Sequence, residues 1–127
     1  MLKKLQKTHY SKIIDYDLDT NFIKCIGIHK ASSESLSHAV IYKNLSDINS
    51  VLHIHNYKLW KESLNILPTT SPDVSYGTPE MAKEISRLLK QQFTIEKKII
   101  IMAGHEQGII AFGKDIDEAG SVLLSYF

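Results

Sequence analysis

The stretch from Lys98 to Phe112 constrains this chain most. Lys98-Ile99-Ile100-Ile101-Met102 and Ile109-Ile110-Ala111-Phe112 are short apolar runs, separated by a segment bounded by Gly104 and Gly108. Runs of this length read as strands, and the glycine-bounded segment reads as a polar tip between them, which predicts a hairpin. Upstream, Thr78-Pro79-Glu80 supplies a capping hydroxyl, a proline at the first helical position and an early acid, ahead of Met81, Ile85, Leu88 and Leu89. That pattern predicts a helix. Ile13–Leu18 and Phe22–Gly27 read as two strands around Asp19-Thr20-Asn21, which carries turn chemistry. Ser33 is the expected cap of a helix through about Lys43, Val51–His55 a buried strand, and Leu59, Trp60 and Leu64 mark a further helix. Pro68 to Gly77 is the longest irregular stretch, and loops of this length in small domains are often functional. Asp115 with Glu118 predicts a capping box for a last helix reaching Phe127. The expected order is hairpin, helix, strand, helix, helix, hairpin, helix: an α/β chain whose helices cover a mostly antiparallel sheet.

A chain of 127 residues is about one domain's worth. Its 15 Lys and Arg against 14 Asp and Glu leave a net charge of +1, which gives no reason to expect nucleic acid or a membrane surface as partner. No apolar run approaches the roughly 20 residues of a spanning helix, and Met1-Leu2-Lys3-Lys4-Leu5 does not read as an apolar leader. Cys25 is the only cysteine, so an internal disulfide and a cysteine metal cage are both excluded, and a cytoplasmic location is expected.

Six histidines are the one compositional excess. Side chains two apart on a strand share a face, so His53 and His55 would present two imidazoles a single metal can bridge. A bare His-x-His is more often one core and one surface residue, and its company decides the matter. His105 lies in the glycine-bounded tip and could supply a third nitrogen. Glu34 begins the helix after Ser32 and Ser33, with His38 one turn later. In isolation Glu34 is a first-turn acid favoured by the helix dipole, and the serines are simple caps. Together, three histidines and a carboxylate fit a catalytic zinc site, with a position left open, better than a closed structural one. Glu34 would then move protons beside the metal, and Ser32 and Ser33 would meet an anion such as phosphate at the helix N-terminus.

Ser32-Ser33-Glu34 with His38, His53-x-His55, Tyr76-Gly77-Thr78-Pro79-Glu80-Met81-Ala82, and Gly104-His105 followed by Gly108-Ile109-Ile110-Ala111-Phe112-Gly113 with Glu118-Ala119 resemble the class II aldolase/adducin family. The resemblance implies a single-domain α/β/α sandwich over residues 1–127, assembled as a homo-oligomer, a tetramer in the family. It implies a Zn2+ or other divalent ion on His53, His55 and His105, Glu34 as acid/base, and Ser32 and Ser33 on a substrate phosphate. The implied activity is that of a metal-dependent aldolase-type lyase, or an epimerase, on a small sugar-phosphate-like carbonyl compound through a metal-stabilised enediolate. The alternative, from another class, is a metal-binding but catalytically reduced domain that serves as an oligomeric scaffold or a shortened gene product. Only 33 residues precede Glu34, which predicts that the family's usual N-terminal segment is lacking. Glu106 and Gln107 stand after His105, where the family commonly has glycine, and no tyrosine acid has a matching position.

Overall fold

The computed structural model describes residues 3–127. Met1 and Leu2, at the start of the Met1–Leu5 stretch not expected to be an apolar leader, lie outside the described residues. Among the described residues no helix is long and apolar enough to cross a membrane.

The polypeptide is mixed α/β, with two antiparallel sheets. Strands β1 (Lys12–Asp17) and β2 (Phe22–Ile26) form the expected first hairpin. Its turn closes because Asp17 Oδ1 accepts the Asp19 and Thr20 N–H groups at 2.9 and 3.2 Å and Asn21 takes a φ of 56°. The second sheet has the order β3 (Ser50–His55), β5 (Gly108–Gly113), β4 (Ile99–Ile101), with every pairing antiparallel. β5 lies between its two neighbours and is buried at every position, so its sequence is an unbroken apolar run instead of an alternation.

The alternation instead appears in what each face packs against. Val51, Ile100, Ile110 and Phe112 join Val40 and Ile41 of α1 (Ser35–Asn44) and Met81, Ile85 and Leu88 of α3 (Pro79–Leu89) in one apolar cluster. Ile99, Ile101, Ile109 and Ala111 join Leu59 of α2 (Tyr57–Ser63) and Leu123 of α5 (Ile116–Leu124) in another. Each fully buried isoleucine contributes on the order of 2 kcal/mol of transfer free energy, so this isoleucine-rich hairpin is the main stabilising element. α3 starts as the sequence predicts: Thr78 accepts the Met81 N–H and Pro79 follows in the first turn.

Several boundaries differ from expectation. Ser33 is not the cap of α1. Glu34 takes that position without a side-chain cap bond, while Ser32 Oγ accepts the Glu34 N–H at 3.1 Å and Ser33 packs against Gly77. Lys98 is not in a strand; its φ of 55° ends α4 (Gln92–Lys97), an additional short helix. α4 escapes sequence reading because Thr94 is its only buried residue, so it has no apolar stripe. α5 stops at Leu124, short of Phe127. Asp115 does cap it by accepting the Glu118 N–H at 2.8 Å, but the Glu118 carboxylate accepts from Lys114 and Lys98 instead of completing the box.

Candidate metal centre

Register on the sheet builds the first part of the site. His53 lies opposite Ile110 and His55 opposite Gly108, so both imidazoles project from the face that carries Val51 and Phe112. The His53 Nδ1–H donates to the Ile109 carbonyl at 3.1 Å, which leaves Nε2 with its lone pair, 3.0 Å from Nε2 of His55. Gly108 leaves space beside the pair, and an added Cβ there would meet the His105 ring at 2.9 Å.

The β4–β5 tip brings in the third imidazole. His105 N–H donates to Met102 O at 3.1 Å, and Gly108 N–H donates to His105 O at 2.7 Å, so the segment folds back in two turns. Gln107 absorbs the extra length with a φ of 71° and is held by the Asn56 N–H. Gly104 packs so close to the 71–77 loop that a Cβ would lie 1.8 Å from Val74 O. The tip's base is tied by Trp60 Nε1–H to Met102 O at 2.9 Å and by Ala103 N–H to Thr70 Oγ1 at 3.0 Å. As a result the His105 ring centroid is 5.2 Å from that of His53 and 4.8 Å from that of His55.

Glu34 is the fourth member, and it is only 3% exposed. Ser37 Oγ–H donates to its Oε2 at 3.2 Å, and its Oε1 lies 3.5 Å from His105 Nδ1. Neither of these last two buried atoms has a hydrogen-bond partner. Burial raises the Glu34 carboxyl above its ordinary value, against the lowering effects of Ser37 and His55. It pushes His53 down to about 4, aided by the fields of His105 and His55, and it lowers His105 as well. Imidazoles kept neutral offer lone pairs.

The donor set fits a divalent metal. The three histidines each place a ligand nitrogen within 4.8 Å of the others. A tetrahedral ion with metal–nitrogen bonds of about 2.0–2.1 Å separates its ligands by about 3.3 Å, so small side-chain rotations suffice. The unpartnered Glu34 Oε1 beside the imidazoles points to the same conclusion, because buried polar groups ordinarily have partners.

The structure therefore brings His53, His55, His105 and Glu34 together. Ser32 and Ser33 lie exposed in the turn before α1. His38 does not join the cluster; it lines a cleft of about 380 Å3 with Ile13, Tyr16 and Tyr42 of the hairpin and α1. Sequence reading missed one neighbour, Tyr76, whose ring stacks on His105 with centroids 4.3 Å apart and planes 29° from parallel. No spacing rule links positions so far apart; Tyr76 was marked only by its place in the long loop and at the head of the Tyr76–Ala82 motif, neither of which points to His105.

Two comparisons with known proteins bear on this geometry. A relative described as an L-fuculose phosphate aldolase from Methanocaldococcus jannaschii is 28% identical over 120 residues, which take in 84% of this chain and 60% of the relative. The chain thus spans less than two thirds of that relative's length. The family model described as the class II aldolase and adducin N-terminal domain matches residues 3–125, nearly the whole polypeptide, and the chain belongs to that family.

Proposed function

We propose that this chain is a metal-dependent aldolase-type lyase, or an epimerase of related chemistry, acting on a small sugar-phosphate-like carbonyl compound. The observation that carries the reading is the convergence of three imidazoles with a buried carboxyl whose unpartnered oxygen lies beside His105. His53, His55 and His105 would hold the ion, with zinc the first choice for an all-nitrogen set. A divalent ion there supplies Lewis-acid stabilisation for negative charge developing on substrate oxygens.

The remaining chemistry belongs to side chains. The Ile109 carbonyl fixes the His53 tautomer, so its Nε2 stays available without a proton to lose. Ser37 anchors Glu34 Oε2, which leaves Oε1 as the atom that exchanges a proton with substrate when the carbon–carbon bond breaks or forms. The raised carboxyl suits that task, since a group that holds its proton nearer neutrality both gives and accepts it. Ser32 and Ser33, exposed at the start of α1, would receive the substrate's phosphate at the helix N-terminus. By resemblance to the family, this reading extends to an α/β/α sandwich domain that works as a tetramer.

A second reading, a metal-binding scaffold of reduced activity, draws on one observation: Ser32 Oγ is already engaged with the Glu34 N–H. Glu34→Gln separates the two. The lyase reading predicts that it retains metal and loses aldehyde release from ketose phosphates by about 100-fold or more. Equal turnover in the variant would remove Glu34 from the mechanism, and a metal-loaded wild type that cleaves no ketose phosphate would favour the scaffold.

A further inference from the structure

The three histidines are not fixed in the same way. The ring of His53 is locked by its bond to Ile109 O, whereas Nδ1 of His105 has no hydrogen-bond partner. Metal-ligating imidazoles are ordinarily oriented through their second nitrogen; with Nε2 of His105 turned to the ion, its Nδ1 lies 3.5 Å from Glu34 Oε1 without a hydrogen bond, so the ring needs a further means of holding its plane. The stacked ring of Tyr76 is the group in contact with it. Tyr76 is 52% exposed, so it does not serve as core packing. The backbone around it is clamped on both sides. Val74 O abuts Gly104 with no room for a Cβ, and Gly77, at a φ of +67°, would place a Cβ 3.2 Å from that of Ser33. Asn21 Nδ2–H also donates to Gly77 O at 3.2 Å, and Thr78 Oγ1–H to Ser75 O at 2.7 Å.

We infer that Tyr76 is a positioning residue for the metal centre: its ring face, carried on the clamped 71–77 loop, holds the His105 imidazole in the plane required for ligation. This role rests on the metal-centre reading above. The ring does the work and the hydroxyl is dispensable. The same loop packs on Ser33 at one end and on His105 at the other, so Tyr76 also joins the proposed anion turn to the proposed ligand.

Cobalt(II) titration of the full chain, followed by visible absorption, tests the role without any assay of turnover. Tyr76→Phe is expected to bind Co2+ within about twofold of wild type with an unchanged spectrum. Tyr76→Leu, which keeps bulk and loses the ring face, is expected to bind about tenfold more weakly with altered d–d bands, while its melting temperature stays near that of wild type. Wild-type affinity and spectrum in Tyr76→Leu would overturn the positioning role alone. A Phe variant as impaired as the Leu variant would overturn the assignment to the ring. Failure of the wild-type chain to take up cobalt would overturn the metal centre and the positioning role with it.

Discussion

At the scale of single residues, the site is organised by burial acting on titratable groups. His38, His53 and His105 are all held below the ordinary histidine value, burial being the first cause in each, while Glu34 is raised. A histidine depressed to about 4 in the folded chain, but titrating near 6.5 when unfolded, makes the unfolded state bind more protons between those values. Stability of the metal-free protein therefore rises with pH across about 4 to 6.5 and is lost as pH falls through that window. Glu34 acts in the opposite direction, since a raised carboxyl loses its contribution as pH climbs above its unfolded value; one such group stands against three imidazoles. Urea midpoints measured from pH 4.5 to 7 in the presence of chelator should rise, and a flat or falling series would contradict the burial of these rings. Of the clustered residues, His53, His55, His105 and Glu34 were all legible in the sequence, the first two from strand period, His105 from its glycine-bounded tip and Glu34 from the start of a helix. The Ser33 cap was misplaced because the Glu34 carboxyl turns inward to Ser37, and Ser33 is committed to Gly77.

At the scale of elements, the β4–β5 hairpin positions His105, and the close approach of Gly104 to Val74 locks the hairpin's tip to the preceding loop. Gly104→Ala puts a methyl 1.8 Å from Val74 O, a backbone atom that cannot turn aside. The expected cost is about 2 kcal/mol of stability together with weakened metal binding, because the tip carrying His105 must shift. Thermal denaturation and metal titration check both, and a variant with wild-type values in each would show that the two segments are not coupled. Elements with a strong local signature were legible: α3 from Thr78-Pro79-Glu80, β4 and β5 from their isoleucines, α5 from Asp115. α4 was not, since a six-residue helix with one buried side chain has no periodicity to read. The Tyr76–His105 stack was invisible for a different reason: it joins a loop to a hairpin tip through tertiary packing alone.

At the scale of the whole molecule, an isoleucine-rich three-stranded sheet flanked by helices supports one histidine cluster near the ends of β3 and β5. Membership of the class II aldolase and adducin family and the match to an aldolase that is longer than the aligned region agree with the use proposed for that cluster. Substrate and assembly follow from the same proposal, and all of it depends on the metal. The most direct test is elemental analysis of the protein purified without chelator, wild type beside His53→Ala. The account predicts about one divalent metal per wild-type chain and none in the variant. Wild-type protein without zinc, manganese, iron or cobalt, and with no uptake on reconstitution, would contradict it, as would a His53→Ala variant with undiminished metal.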